Sequence, residues 1–242
     1  MPKHSPLVDS DGYKLNKMWR DGDFEVISNE DVKFCVPSYH LQSASTVFRD
    51  MIAAGSGEKR IELDETTRTI EDFLMFVTTG CARFASMDGR VRFDETVNLI
   101  AFLRKYGCDG IESHLRNYIR APWHGHSEDY KYLRMLAAMH LDMPDVVAEL
   151  IRDSPEMFAW LDPAAPAPAT PTADEWRPRR LAYAIFEHIP NRYLWALMAA
   201  GVFVDEWVGR FGGKDERLSE KDAAERFLWF AENAFLSTRA DP

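Results

Sequence analysis

Hydrophobic and polar positions alternate from Asp23 to Ser28, with Phe24, Val26 and Ser28 on one side and Asp23, Glu25 and Ile27 on the other. They alternate again through Val32, Phe34 and Val36. A period of two on either side of Asn29-Glu30-Asp31 predicts a β-hairpin, and Pro37 ends it because proline has no N–H to give the ladder. A helix is expected from about Leu41 to Ile52. It begins at a serine turn, presents Leu41, Ser45, Val47, Phe48 and Met51 to a core, and is closed by Gly55 and Gly57. Arg60-Ile61-Glu62-Leu63 reads as a short strand. Thr69 and Asp72 then form a capping-box pair opening a helix from Ile70 to Thr78, which Gly80 ends.

The period changes to 3.6 residues further on. After Asp94 as N-cap, Leu99, Phe102, Leu103 and Tyr106 form an i, i+3, i+4, i+7 stripe. Gly107 breaks it before a second helix bearing Ile111, Leu115, Tyr118 and Ile119. Ser127 caps a similar pair, with Leu133, Leu136, Ala137 and His140 on its first helix and Val146, Val147, Leu150 and Ile151 on its second. Asp142-Met143-Pro144 makes the turn between them. Two stacked helical hairpins, each covering the face the other leaves bare, are the expected result.

The segment from Leu161 to Thr172, LDPAAPAPATPT, is a Pro/Ala linker unable to form helix or sheet interior. Beyond it three helices are expected. One carries Leu181, Ala184, Ile185 and His188 and stops at Pro190. The next is capped by Asn191 and runs through Leu194, Leu197 and Met198 to Gly201. The last is opened by Ser219 and Asp222 and carries Ala224, Phe227, Leu228, Ala231 and Phe235. Trp229 and Phe230 lie off that last stripe, so this helix is apolar nearly all round. Burial against Trp176, Trp195 and Trp207 is the expected reading, and docking of a partner is the alternative. The domains are then a tail over 1–20, a small sheet capped by helices over 21–120, a helical hairpin over 127–160, the linker over 161–178 and a helical region over 179–238. The fold class is α+β followed by an all-helical C-terminal part.

With 46% apolar residues in 242, the chain can fill a core. A formal charge of -10 denies it the sequence-independent attraction to a phosphate backbone, so no nucleic acid is expected as a partner. Cys35, Cys81 and Cys108 make neither a CxxC pair nor an even set, which fits a reducing compartment. The N-terminus has no apolar run after its basic residues, and the longest apolar stretch, Tyr193 to Val204, is too short to cross a bilayer. A soluble cytoplasmic or nuclear protein is expected, with no membrane partner.

Three stretches resemble the BTB/POZ domain family. Asp23-Phe24 matches that family's first strand; Leu41, Ser45 and Phe48 match its Leu-x-x-x-Ser-x-x-Phe core; and Phe73, Val77, Thr79 and Gly80 match its Phe-x-x-x-Val-x-Thr-Gly helix end. The helix pair from Asp94, with Leu99, Leu103 and Tyr106, corresponds to the closing hairpin. The resemblance covers about Asp21 to Arg120 and is nearest to single-BTB proteins with helical tails found in fungi. It implies a non-enzymatic scaffold or adaptor that forms homodimers and recruits another protein.

The chain departs from the family at three places. Pro37 and Ser38 stand where a basic residue is usual, so the Asp/basic pair of the repressor branch cannot form and Asp23 is expected to lack that partner. Ile52-Ala53-Ala54-Gly55 lacks the hydrophobic-x-Glu pattern of the cullin-binding branch, which points away from a cullin scaffold as partner. Thr78 replaces the family's Tyr. A ubiquitin-ligase adaptor is kept as the alternative because a helical hairpin follows the domain directly.

Enzymatic readings find little in the sequence. Ser43 and Ser45 with His40 and Asp50 supply the residue types of acyl transfer, but no Gly-x-Ser-x-Gly elbow or oxyanion nest accompanies them, and Ser45 reads as a helix-start serine. Gly212-Gly213-Lys214 lacks the first glycine and the Ser/Thr of a phosphate loop. His124 and His126, with His114, Cys108 and His140, contain one close pair of metal-ligand types, where structural zinc needs two. No catalytic residue, cofactor or metal is expected, and an enzyme of another kind is the remote alternative.

Overall fold

The computed structural model describes residues 8–55, 59–81, 93–121, 128–153, 187–200 and 220–233. The chain divides into two compact units: Met1–Ser86 with Asn98–Tyr118, and Met87–Val97 with Ile119–Pro242. The described residues are mixed α and β, with nine helices and one four-stranded sheet.

In the first unit the hairpin forms as its alternation predicts. Strands β2 (Phe24–Ile27) and β3 (Val32–Val36) pair antiparallel, Phe24 opposite Val36 and Val26 opposite Phe34. Asp31 takes the left-handed conformation that the turn needs, and the Ser28 hydroxyl accepts from the N–H groups of Glu30 and Val32. Strand β4 (Arg60–Glu62) adds parallel to β2. The fourth strand was not expected: β1 (Lys14–Leu15) pairs parallel with β3, giving the order β1-β3-β2-β4. Residues 8–20 are therefore part of the sheet unit rather than a tail. Asn16 N–H donates to Lys33 and Cys35 N–H to Trp19, so this segment lines the whole of β3.

Phe24, Val26, Phe34 and Val36 share one face of the sheet and are buried, as are Leu41, Phe48, Phe73, Leu74, Phe102, Leu103 and Leu115 of the same unit. The single helix expected from Leu41 to Ile52 is two: α1 (Ser38–Ala44) and α2 (Thr46–Ala54). Ser45 between them is extended, with φ -143° and ψ 131°, because its side chain is used as the N-cap of α2. The break turns Met51 outward, so it leaves the core set and stands 43% exposed.

Helix α3 (Thr67–Thr79) starts three residues before the expected position. Thr66 is its N-cap and accepts from Thr69 N–H, whereas Thr69 and Asp72, expected as the cap, are buried inside the helix. Gly80 ends α3 in the left-handed conformation. Helix α4 (Phe93–Lys105) begins one residue before Asp94, which sits in the first turn, and α5 (Asp109–Arg120) follows. Gly107 turns the corner with φ +59°, and a Cβ there would lie 2.8 Å from Thr46 Oγ1, so space and conformation both require glycine. The unit boundary falls within α4 and α5.

The second unit contains α6 (Glu128–His140), α7 (Pro144–Asp153), α8 (Asn191–Ala199) and α9 (Glu220–Asn233). Helix α9 packs on α7 and α8, and α6 on α7. Every residue of α6 from Tyr132 to Met139 is buried. Arg134 among them is satisfied by Ile119 O at 2.9 Å and Glu149 at 3.1 Å. Asp142 turns the α6–α7 corner in the left-handed conformation, accepts from the Tyr193 hydroxyl at 3.1 Å and pairs with Arg192. His140 bonds the carbonyl of His188 at 2.7 Å, and the His188 ring meets Asp94 at 2.6 Å. Pro190, not Asn191, occupies the N-cap position of α8. The caps Ser127 and Ser219, the linker over 161–178, and the helix expected through Leu181, Ala184 and Ile185 lie outside the described residues.

Candidate functional site

The apolar residues Leu41, Phe48, Phe73, Leu99, Leu103 and Tyr106 of the resemblance converge in the first unit as a core, whereas Asp23 and Thr79 are exposed and Val77 and Gly80 half-buried. Phe48 lies 4.8 Å from Tyr106, 6.0 Å from Phe73 and 6.1 Å from Phe102, while Phe73 and Phe102 are 4.7 Å apart. Phe48 stacks on Tyr106 and the other pairs are tilted, and rings so arranged at such distances add attraction beyond burial alone. Leu41, Phe48, Phe73, Leu99, Leu103 and Tyr106 are all buried.

Ser45 is the polar centre of this core. Its hydroxyl accepts from Phe48 N–H at 3.0 Å, capping α2, and donates to the carbonyl of Tyr106 in a very short contact. Being 1% exposed and committed to a backbone carbonyl, it has neither access nor a base, which removes it as a nucleophile. Ser43 bonds its own helix at His40 O, and the His40 ring lies tilted 4.0 Å from the Tyr39 ring. Cys108 is buried beside this group, and burial pushes its thiol up to about 12, where it stays protonated and unreactive.

Asp23 lacks the basic partner of the repressor branch and has another use. Its two oxygens accept from the backbone N–H and the hydroxyl of Ser38, each at 2.7 Å. Pro37 at the N-cap of α1 makes no side-chain bond to the helix, so Asp23 does this from the start of the hairpin. These two hydrogen bonds hold its carboxyl below the usual range. Gly80 exposes its carbonyl to His114 Nε2 at 3.2 Å.

An ionic group on the other face of the sheet has no counterpart in the sequence reading. Glu25 and Arg60 are register partners, as are Ile27 and Lys33, so Glu25, Arg60 and Lys33 share that face. Lys33 is almost fully buried and meets Asp9, Glu25 at 3.1 Å and Asp11 at 3.8 Å. Arg60 bridges Asp11 at 2.7 Å and Glu25 at 2.8 Å, and the Tyr13 ring lies against both cations. Burial would lower the Lys33 pKa, but the hydrogen bonds its ammonium donates to Asp9 and Glu25 outweigh it and raise the value. Lys33 holds Asp9 down, and Arg60 holds Asp11 down. Arg60 and Lys33 lower Glu25 against its own burial. The ammonium of Lys33 thus serves as the internal counter-ion of an acidic pocket, and residues 9–13 are fastened to the sheet by it. The signal available in sequence was a lysine and a glutamate at outward positions of one hairpin, without their distant partners.

In the second unit Phe230 lies between Trp195 and Trp229, in ring contact with both. Trp195 and Phe230 meet edge-on at 5.2 Å, as do Trp229 and Phe230 at 5.0 Å. Trp229 is 60% exposed and Trp195 50%, so the expected burial of Trp229 does not occur. The reason is helical geometry: Phe227, Ala224 and Ala231 take the inward face of α9, and Trp229 lies about 200° round the helix from Phe227. Trp176 and Trp207 lie outside the described residues.

His114 and His140 are each engaged by a backbone carbonyl, and the described residues contain no group of three His, Cys, Asp or Glu placed to hold a metal ion. His124 and His126, like Gly212-Gly213-Lys214, lie outside them. No helix of the described residues is long and apolar enough to cross a membrane. Compared with models of known protein families and with curated protein sequences, the chain matches none.

Proposed function

We propose that the chain is a non-enzymatic protein–protein interaction module, in which a BTB/POZ-like first unit self-associates and the helical second unit recruits another protein. The observation that supports this most is the convergence of Leu41, Ser45, Phe48, Phe73 and Tyr106, the positions of the resemblance, in one core closed by the Ser45–Tyr106 bond. The apolar side chains of the strand from Phe24 and of Leu41 and Phe48 are consumed inside that core. Self-association must use the apolar side chains left outside, of which Tyr39 on α1, Met51 on α2 and Met18 are the largest among the described residues of the unit. A two-fold contact of such side chains makes one patch complementary to itself.

Light scattering of the full chain at micromolar concentration tests the reading, with Tyr39→Ser and Met51→Ser as paired variants. A dimer mass that falls to monomer in the variants is expected. A monomer for the unmodified chain overturns self-association.

A further inference from the structure

Residues 9–19 cover the β3 edge of the sheet and part of one face, yet they add almost nothing to its apolar core. Over residues 8–20 only Asn16 is buried; Tyr13, Leu15 and Trp19 are half-buried, and Val8 and Met18 stand in solvent. The anchors are polar instead. Asp9 meets Lys33, and Asp11 meets Arg60 at 2.7 Å and Lys33 at 3.8 Å. The Tyr13 ring lies 5.5 Å from the Lys33 ammonium and 5.4 Å from the Arg60 guanidinium. Asn16 donates from its backbone to Lys33 O at 2.9 Å and from its side chain to Glu71 at 2.6 Å. In the closed position the Trp19 indole N–H is buried with no acceptor among the described residues, a cost that opening to water removes.

A stretch with few buried apolar contacts opens at a free energy well below that of the whole fold. This one also moves as a piece. Asp9 Oδ1 accepts from the N–H groups of Asp11 and Tyr13, and Asp9 N–H donates to Tyr13 O, so the turn over residues 9–13 holds together without the sheet. From Gly22 onward the chain is fixed, since a Cβ there would lie 2.2 Å from the Val36 backbone, which leaves Arg20-Asp21 as the hinge. Much of the ionic group is open to screening, with the Asp11 side chain 47% and that of Arg60 35% exposed. The range of a charge falls from about 10 Å at 0.1 M salt to about 3 Å at 1 M. We infer that residues 9–19 are an ionic strap: held by Asp9, Asp11 and Tyr13 against Lys33 and Arg60, they lift off as one unit when those charges are screened, baring the outer edge of β3 while the core stays folded.

Opening frees the Lys33 carbonyl, which accepts from Asn16, and the Cys35 N–H, which donates to Trp19 O. Both lie on the side of β3 turned away from β2, and a bared strand edge of this kind is a template for another strand. Ionic strength thus sets access to that edge. The inference concerns the first unit alone and is independent of the self-association proposed above. Amide hydrogen exchange of the full-length chain, read residue by residue by NMR, tests it. Lys14, Asn16 and Cys35 report the strap, through their bonds to Asp31 O, Lys33 O and Trp19 O; Ser28 and Phe48, bonded to Val32 O and Ser45 Oγ, report the hairpin and the core.

Between about 0.05 M and about 1 M sodium chloride, protection of the three strap amides is expected to fall about ten-fold, the sum of two or three partly exposed pairs of a few-fold each, while that of Ser28 and Phe48 changes less than about three-fold. Asp9→Asn with Asp11→Asn should bring the same selective loss at low salt and reduce the remaining salt dependence to less than about two-fold, since the charges on the strap are then gone. Strap amides exchanging in step with Ser28 and Phe48 would make the segment part of one cooperative unit and overturn the inference. Strap protection indifferent to salt, or a salt dependence that survives in the double variant, would overturn the ionic latch. Loss of Phe48 protection in that variant would do the same, because the strap would then be holding the core together.

Discussion

Replacing Phe48 by alanine is the sharpest perturbation of the first unit. Phe48 is 1% exposed and is one of four clustered rings, 4.8 Å from Tyr106, 6.0 Å from Phe73 and 6.1 Å from Phe102. Removing a buried phenyl typically costs about 3–5 kcal/mol, the upper end applying where neighbours cannot collapse into the space. Here they cannot. Phe73 and Phe102 are held against each other, and Tyr106 is pinned through its carbonyl to Ser45. Total stabilities of about 5–15 kcal/mol leave such a variant with a small remainder, and a midpoint shift of roughly 6–20 °C follows for a chain of this size. Differential scanning calorimetry with a urea titration reads it. His40→Ala removes a partly exposed ring tilted against exposed Tyr39 and should shift the midpoint by no more than about 2 °C, since surface substitutions rarely exceed about 0.5 kcal/mol. If Phe48→Ala melted as closely to the unmodified chain as His40→Ala, the assignment of α2 to the core would be wrong.

Other outcomes follow from the same contacts. Ser45→Ala removes an N-cap and at once leaves the buried Tyr106 carbonyl with only the weak Cys108 thiol donor; it should cost about 1–3 kcal/mol by urea midpoint, more than Ser43→Ala, whose hydroxyl is exposed. Asp9, Asp11, Asp23, Glu25 and Glu30 all have folded-state pKa values below their unfolded ones. Their contribution is therefore full above the unfolded carboxyl values of about 4 and is lost as pH falls through the lower folded values. Urea midpoints should be flat from about pH 5 to about pH 8 and drop below about pH 5, and a midpoint rising on acidification would refute this sign. Binding to a purified cullin N-terminal domain should be weak or absent by calorimetry, because the last turn of α2, Ile52-Ala53-Ala54, offers no hydrophobic-x-Glu anchor. A submicromolar constant would promote the adaptor alternative to first place.

Much of the first unit was legible because its signals are local. The hairpin follows from two-residue alternation, and the corners at Gly80 and Gly107 from glycine at the end of an apolar stripe. Ser45 was legible as a helix start, yet the break before it was hidden, because α1 and α2 have the same helical pattern and only the side-chain bond separates them. The start of α3 was misplaced because Thr66, Thr67 and Thr69 all suit an N-cap, and burial of Thr69 decides among them. Residues 8–20 were missed altogether. A two-residue parallel strand of polar sequence has no period to read, and its fastening comes from Lys33 and Arg60, far along the chain. The candidate surface at Trp229 and Phe230 was legible as an aromatic pair off the stripe, but its exposure depended on which face α9 turns inward.

The bond between Asp23 and Ser38 has a consequence for the order in which the chain assembles. It closes a loop of 15 residues, whereas the Ser45–Tyr106 bond spans 61. By chain entropy the shorter closure is favoured by about 1.2 kcal/mol before any contact energy is counted. It also needs nothing that lies beyond α1 in the sequence. During synthesis, the hairpin and α1 have every residue they need to close on each other while Tyr106 and the rings of α4 are still untranslated. One carboxylate thereby lets the amino-terminal part of the sheet take its register early, and the aromatic core is sealed onto an already ordered edge.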